Sequence, residues 1–205
     1  MGILKGALTG RRYRIVGDIP EHFTDDYIHA LNTNQLREPL SPTHKGEVMG
    51  WCQVHNLLDV DFQDINLWLY QHYVLIALRV DKKTVPAKWL RAHLMKRMEV
   101  WCKENSRTKV PAAVKEELRE TLELEMLQKT LPRVQTWEMV WNMTERWAVF
   151  TNDSELPNER FQKHFLLTFG LRAIPWSPLD ELTGTEGLPE ALVSAGASDV
   201  RGGAR

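Results

Sequence analysis

The segment from residue 75 to residue 133 constrains the fold most, because its apolar pattern changes from that of a strand to that of two long helices. Alternate residues of segment 73–80 are apolar on one face, and this period of two predicts a strand. A charged turn, DKKTVP, follows, and Pro86 then suits the first turn of a helix that ends near Asn105. Pro111 opens a second helix. The segment therefore predicts two paired helices directly after a strand.

Both predicted helices carry apolar residues at helical spacing. The first helix has one such stripe, made of Leu90, Leu94, Met98 and Trp101. The second helix has two stripes, one made of Val114, Leu118, Leu122 and Met126 and the other of Leu124, Leu127 and Leu131. Two stripes predict that this helix packs on its partner near the tip of the hairpin and on the rest of the protein near its base.

The other periodic segments predict a sheet and two further helices. Strands are predicted at residues 11–16, 47–54, 65–70 and 172–175, and a β-hairpin around Trp141. A short helix is predicted from the capping residue Thr24 to about Leu31, and a longer one from Ser154 or Asn158 to Gly170. Residues 34–46 predict a loop. This order predicts an α+β fold, with an antiparallel sheet, packed helices and a projecting two-helix hairpin or finger.

The same pattern predicts how the chain is organised. Residues 1–80 and 132–178 are expected to form an α+β body, and residues 81–131 a basic helical hairpin inserted in that body. Residues 179–205 combine Gly, Ser, Ala, Pro and acidic residues without an apolar period, which predicts a disordered tail. No apolar run approaches the ~18 residues of a membrane span. With two well-separated cysteines, Cys52 and Cys102, we expect a cytoplasmic protein with reduced thiols.

The predicted hairpin concentrates positive charge. Residues 79–133 contain 14 Lys and Arg against 8 Asp and Glu, although the whole chain has a formal net charge of −1. The cations occupy the base, the first helix and the tip of the hairpin: Lys82, Lys83, Lys88, Lys96, Lys103, Arg107, Lys109 and Lys115. A field of this kind favours a polyanion. A charged helical face is also commonly just solvated, so on these residues alone both interpretations stay open.

Motifs for catalysis or for a metal are scarce. The chain has no GxGxxG, P-loop, GxSxG or HExxH pattern. Asp59, Asp61 and Asp64 form an acidic cluster that could hold Mg²⁺ for a nuclease, but its place between strands favours solvated turn carboxylates. His22 and His29 are seven residues apart, and we interpret them as surface or capping residues. We therefore predict no catalytic residues, no metal site and no cofactor.

Several collinear segments resemble the RdgC family of bacterial, recombination-associated DNA-binding proteins. They are Met-Gly-Trp at 49–51, Ile-Ala-Leu-Arg at 76–79 with Lys-Lys-Thr-Val-Pro at 82–86, the helical finger, Leu-Pro-Arg at 131–133, the β-hairpin around Trp141, and the helix 160–170 that leads to Ile-Pro at 174–175. The resemblance covers residues 3–178. Family members continue with another α+β portion, so the chain resembles a short, C-terminally reduced member.

The resemblance implies a DNA-binding protein without catalysis. Family members form ring-like homodimers around duplex DNA, bind with little sequence preference and restrain RecA-type recombinases. Carried over by position, the residues that would line the DNA path are Lys82, Lys83, Lys88, Arg91, Lys96, Lys103, Arg107, Lys109, Lys115 and Arg133. The family also tends to place an aromatic residue directly after Leu-Pro-Arg, whereas here Val134, Gln135 and Thr136 precede Trp137.

Three functions are therefore weighed. The first is a non-enzymatic, sequence-indifferent binder of double-stranded DNA that works as a homodimer in homologous recombination, in the cytoplasm and on the nucleoid. The second is a protein-interaction module that uses the helical hairpin. The third is a Mg²⁺-dependent nuclease that uses the acidic cluster. Salt-dependent binding to DNA separates the first from the second, and Mg²⁺-dependent DNA degradation identifies the third.

Overall fold

One antiparallel sheet organises the protein. The computed structural model describes residues 2–4, 8–37 and 46–176. Its strands are β1 (Arg11–Val16), β2 (Gly46–Cys52), β3 (Leu69–Tyr70), β4 (Tyr73–Lys83), β5 (Arg133–Asn142), β6 (Trp147–Phe150) and β7 (Arg172–Pro175). They lie in the order β2-β4-β5-β6-β1-β7, with β3 paired to β4. The helices are α1 (Asp25–Thr33), α2 (Ala87–Glu104), α3 (Ala112–Lys129) and α4 (Glu155–Phe169). The predicted α+β class is confirmed.

Aromatic side chains of α4 form the core against one face of the sheet. Phe161 stacks on Phe150 of β6 with ring centroids 4.5 Å apart, and Phe165 meets Trp141 of β5 edge-on at 5.2 Å. All four side chains are fully buried. Aromatic residues bury a large apolar area each, and truncating one in a core typically costs about 3–5 kcal/mol of stability. The packing of α4 on the sheet is therefore the main source of stability for the body.

Buried polar groups fix the position of α4. The indole Nε1 of Trp51 donates to Oγ1 of Thr168 at 2.8 Å, and the hydroxyl of Tyr13 donates to Oδ1 of Asn158 at 2.5 Å. His164 Nε2 donates to the carbonyl oxygen of Asn34 at 3.1 Å, just after α1. Buried polar groups are costly unless they are hydrogen-bonded. These bonds therefore select one arrangement of α4 relative to β1, β2 and α1.

The Met-Gly-Trp segment of β2 has a packing role. The backbone around Leu36 crosses β2 so closely that a Cβ at Gly50 would lie 2.3 Å from the Leu36 nitrogen. The Leu36 N–H donates to the carbonyl oxygen of Trp51 at 2.9 Å. Only glycine leaves room for this crossing. The following Trp51 is fully buried in the core.

Two predicted elements are wrong in part. Residues 65–70 were expected to be one strand, but Ile65–Leu67 is a 3₁₀ turn, and Asp64 accepts a hydrogen bond from the Asn66 N–H at its start. Only Leu69–Tyr70 is extended. The charged turn expected after β4 begins later, because β4 continues through Lys83. β4 pairs with β2 on one side and with β5 on the other, and this pairing keeps its polar end extended.

The helix predictions hold with two exceptions. Thr24 occupies the N-cap position of α1, but its side chain makes no capping hydrogen bond. In the second stripe of α3 only Leu127 is buried, whereas Leu124 and Leu131 are 41% and 87% exposed. The prediction that this stripe packs on the body is therefore wrong for Leu124 and Leu131. The tail at 179–205 and much of the loop at 34–46 lie outside the described residues. The division into body, inserted hairpin and tail stays a prediction.

His164 makes the stability of the body depend on pH. Burial lowers its pKa, so the unfolded chain takes up a proton at a higher pH than the folded protein does. As the pH falls below the ordinary value of about 6.5, the unfolded state is therefore favoured. We expect wild-type protein to lose more free energy of unfolding between about pH 7.5 and about pH 5.5 than His164→Gln. Denaturant titrations at the two pH values measure the difference.

The matched control is His29→Gln, which alters an exposed residue of α1. This variant should keep the wild-type dependence on pH. Equal pH dependence in wild type and His164→Gln would show that the buried imidazole does not control the effect.

Candidate nucleic-acid interface

The two helices α2 and α3 pair with each other, and we call residues 87–129 the helix pair. They pack on each other more extensively than either packs on any element of the body. Leu94 of α2 and Leu122 and Leu127 of α3 are the buried residues of the two helices. Arg97 and Glu125 form an ion pair between the helices, with a nitrogen–oxygen distance of 2.5 Å. That the pair projects as a finger stays a prediction.

A tight helix-ending turn positions the connector of the helix pair. Ser106 has a φ of 52°, in the left-handed region. Its N–H donates to the Lys103 carbonyl oxygen at 3.3 Å, and the Arg107 N–H donates to that of Cys102 at 2.9 Å. This pair of bonds is the Schellman motif, which satisfies the last carbonyls of a helix. It reverses the chain at once and brings Lys109 back beside the end of α2.

Three predicted cations line a groove at the connector end of the helix pair. Lys103 of α2, Lys109 of the connector and Lys115 of α3 surround a cavity of ≈ 630 Å³. The other lining residues are chiefly apolar or sulfur-containing and include Met95, Met98, Cys102 and Val110, with Glu99 and Thr108. We call this the lysine groove. The structure thus joins three residues that are separated by up to 12 positions in the chain.

The base of the helix pair is more neutral than the sequence suggested. Lys82 lies opposite Glu47 on β2 and opposite Arg133 on β5. Its ammonium group is 3.1 Å from the Glu47 carboxylate, which also pairs with Arg160. Arg79, which contributed to the charge surplus, is buried and bound to Asp81 at 2.6 Å. The free positive charge therefore lies on the helix pair more than at its base.

Most of the predicted cations have no acidic partner among the described residues. Among the residues that the structure describes, no ion pair is formed by Lys88, Arg91, Lys96, Lys103, Arg107, Lys109, Lys115 or Arg133. All of them are exposed. Exposed cations without a partner keep their full field for an external anion. These cations are therefore the candidate contacts for a polyanion.

A second group of cations was missed by the sequence analysis. Arg12 and Arg14 alternate with the buried Tyr13 and Ile15 on β1. The Arg12 guanidinium lies 3.8 Å from the ring centroid of Trp176, and that of Arg14 lies 5.5 Å from it. Such cation–π contacts orient the guanidinium groups on the sheet face opposite to α4. The alternation in RRYRIV was the signal that could have revealed them.

The acidic cluster does not converge on a common point. The side chain of Asp59 accepts from the Asp61 N–H at 3.0 Å, that of Asp61 from the Gln63 N–H at 2.9 Å, and that of Asp64 from the Asn66 N–H at 3.1 Å. Each carboxylate thus closes its own turn. Within residues 2–4, 8–37 and 46–176, no group of three or more His, Cys, Asp and Glu could hold a metal ion. His22 precedes α1 and His29 lies on it, and both are exposed.

The two thiols differ in environment. Cys52 lies on β2 and is buried, and burial raises its pKa to about 12. Cys102 lines the lysine groove and is partly exposed. Because the thiolate is the reactive form, Cys52 is protected from alkylation in the folded protein. No described helix is both long enough and apolar enough to cross a membrane.

The comparison with protein families identifies the family of the chain. A family model described as "Putative exonuclease, RdgC" matches residues 23–183. The match takes in α1, the helix pair, α4 and every strand except β1. No curated protein matches the chain.

The contribution of the turn at Ser106 to stability can be tested by substitution. Glycine adopts a positive φ without the steric cost that serine carries, so Ser106→Gly should stabilise the helix pair by about 0.5–1 kcal/mol. Ser154→Gly is the control, because Ser154 has an ordinary φ of −72° before α4. Thermal unfolding followed by circular dichroism should show a higher Tm for Ser106→Gly alone. A lower Tm for that variant would contradict the role assigned to the turn.

Proposed function

Because the chain belongs to the RdgC family, we propose that it is a non-enzymatic, sequence-indifferent binder of double-stranded DNA. The observation that carries the proposal is the set of exposed cations on the helix pair that form no ion pair with any described residue. Three of them, Lys103, Lys109 and Lys115, converge on one groove with a single carboxylate, that of Glu99. The family description names an exonuclease, and the arrangement of charges is what directs the proposal to binding.

The chemistry of these side chains favours contact with the DNA backbone. Lysine carries a compact charge on a flexible stem, which suits phosphate oxygens and does not select a base. Each neutralised phosphate releases counterions, so affinity depends steeply on salt concentration. Lys88, Arg91 and Lys96 of α2 extend the exposed charge along the helix. Binding of this kind is independent of DNA sequence.

We further propose that the protein acts as a homodimer built from the body. Among the described residues β7 is an edge strand that pairs only with β1, and its Ile174 is exposed. Leu156, Leu166 and Leu167 are also exposed on α4. Edges and apolar residues of this kind are commonly covered by a second subunit.

The biological setting is proposed from the family alone. A dimeric, sequence-indifferent DNA binder would act on the nucleoid in the cytoplasm of a bacterium. It would modulate homologous recombination by limiting access of a RecA-type recombinase to DNA. The two proteins would compete for the same DNA, so the recombinase would be affected even without a direct contact between them.

The family description contains the word exonuclease, so the second function to test is that of a Mg²⁺-dependent nuclease. Asp61 and Asp64 are exposed and Asp59 is half-buried, and all three would have to leave their turns to bind a metal together. Linear duplex DNA with Mg²⁺ should therefore stay intact in the presence of the protein. Degradation that the Asp61→Asn variant abolishes would establish the nuclease instead.

Binding of DNA by the helix pair gives a direct test. Replacing Lys103, Lys109 and Lys115 with Gln should weaken binding to every duplex sequence alike, because phosphate contacts carry no sequence information. The slope of log affinity against log salt should flatten by about one unit for each lost contact. Fluorescence anisotropy with two unrelated duplexes at several salt concentrations measures both effects.

The control removes the same charge outside the helix pair, by Arg37→Gln, Arg146→Gln and Lys163→Gln. All three side chains are exposed in the described structure. If the two triple variants bind duplex DNA alike, general charge and not the helix pair accounts for binding. Wild-type affinity in the lysine variant would favour the protein-interaction module.

The proposed dimer predicts a mass in solution of about twice 23.8 kDa. Light scattering at micromolar concentration measures it. A variant with Ile174→Lys on β7 should shift the protein toward the monomer, because a buried charge without a partner is costly. Leu124→Lys on α3, also exposed, is the matched control. A monomeric wild type would rule out the dimer and leave DNA binding possible.

A further inference from the structure

A cavity lies at the opposite end of β4 and β5 from the helix pair. The turn at residues 71–72, before β4, and the turn at residues 143–146, after β5, form two of its sides. Segment 19–23, which precedes α1, forms the third side. The volume of ≈ 700 Å³ lies in the range of about 300–1,000 Å³ that is usual for small-molecule sites. We call this cavity the turn cleft.

One part of the lining of the turn cleft is apolar. It consists of Ile19, Phe23, Leu69 and Met143. The Phe23 ring is half-buried and meets the fully buried Trp68 edge-on, with ring centroids 5.0 Å apart. Because this contact holds the ring in place, Phe23 offers a preformed surface on which a flat aromatic ligand can pack.

The other part of the lining is chiefly polar. The polar residues are Glu21, His22, Gln71, His72, Thr144 and Arg146. None of these side chains makes a hydrogen bond or an ion pair with a residue that the structure describes. A few convergent polar groups beside an apolar surface are typical of small-molecule sites. The turn cleft therefore has both parts of such a site.

The backbone around the turn cleft is held in an unusual conformation. Three non-glycine residues of the described ranges have a positive φ, and two of them, Gln71 and Arg146, both with a φ of 58°, line the turn cleft. Such conformations are sterically costly and cluster at binding sites. The Met143 N–H donates to the His72 carbonyl oxygen at 3.0 Å, and the Ile15 N–H donates to that of Arg146 at 2.8 Å. These bonds join the two turns to each other and to β1, so the polar groups are positioned before a ligand arrives.

The polar residues define the chemistry of the ligand. Arginine carries a permanent charge and can donate two parallel hydrogen bonds to a phosphate group, so Arg146 suits a phosphate. The imidazoles of His22 and His72 can donate N–H groups to further oxygens, and the Glu21 carboxylate can accept from the hydroxyl groups of a sugar. A nucleoside monophosphate has a phosphate, a sugar with hydroxyl groups and a flat base. It therefore complements both parts of the lining.

We propose that the turn cleft binds a free nucleoside monophosphate, with the phosphate at Arg146 and the base packed against Phe23. The site lies at the other end of β4 and β5 from the helix pair that carries the lysine groove, so it is independent of the proposed binding of duplex DNA. Inorganic phosphate would leave the apolar surface uncovered. An unphosphorylated nucleoside would leave Arg146 without an anion.

Isothermal titration calorimetry on the full chain tests the site with AMP, adenosine and inorganic phosphate as probes. AMP should bind at least about tenfold more tightly than adenosine or phosphate, because only AMP uses both parts of the lining. Arg146→Gln should weaken the binding of AMP by at least about tenfold and leave that of adenosine unchanged. Arg146→Lys retains the positive charge and should recover part of the loss.

The matched control is Arg119→Gln, which removes an exposed cation of α3 and should bind AMP like wild type. Circular dichroism shows whether each variant is folded, and unchanged binding of adenosine shows that the turn cleft is intact. A 5′-phosphorylated trinucleotide is the comparison ligand, because the end of a nucleic-acid strand carries the same phosphate. It should bind no more tightly than AMP.

Several results would overturn the proposal. They are the absence of AMP binding, equal affinity for AMP and inorganic phosphate, and equal losses in Arg146→Gln and Arg119→Gln. A loss on replacing Lys103, Lys109 and Lys115 with Gln, but not in Arg146→Gln, would place the nucleotide on the helix pair. A trinucleotide that binds about tenfold more tightly than AMP would replace the free nucleotide by a strand end. AMP binding that depends on Arg146 in a protein without affinity for duplex DNA would support the site and overturn only the proposed function.

Discussion

The contact of α4 with the central strands is the constraint on which the rest of the structure depends. Phe161 and Phe165 fill the space over Phe150 and Trp141, and Thr168 receives the indole N–H of Trp51. Because burial is complete on this face, the register of β5 and β6 cannot slip without exposing aromatic rings. The strand β4 is held between β2 and β5 in the same sheet. The helix pair therefore starts and ends on two neighbouring strands whose positions are fixed by the core.

The candidate interface contains two kinds of cation: those paired with carboxylates of the sheet, and those of the helix pair that have no described partner. Arg79 and Lys82 belong to the sheet and are bound by Asp81 and Glu47. The cations of the connector end have no partner among the described residues, and the turn at Ser106 brings them together. A charge that is already paired in the fold contributes little to an external ligand, whereas an unpaired one contributes fully. The structure thus shifts the proposed DNA site from the base of the helix pair toward its far end.

Most of the fold could be predicted because strong local signals agree with the tertiary structure. The period of two in β1, β4 and β5, the stripe of α2 and the glycine that ends α4 each predicted the observed element. The predictions failed where local signal and tertiary contact disagree. Residues 65–70 looked extended, but Asp64 closes a turn there. Leu124 and Leu131 were predicted to belong to a second packing contact, but both are exposed.

The sequence by itself determined the α+β class, the position of the helix pair between two strands, and the family, since all three depend on the order of periodic segments. It also determined the excess of positive charge on residues 79–133. Only the tertiary structure decided which of those charges are paired, because Lys82 meets Glu47 on the neighbouring strand and Arg79 is directed at Asp81 on its own strand. It likewise decided that Lys103, Lys109 and Lys115 share one groove with Met95 and Met98. Periodicity sets which face of an element is buried, but the packing of that element on its neighbours sets which residues meet.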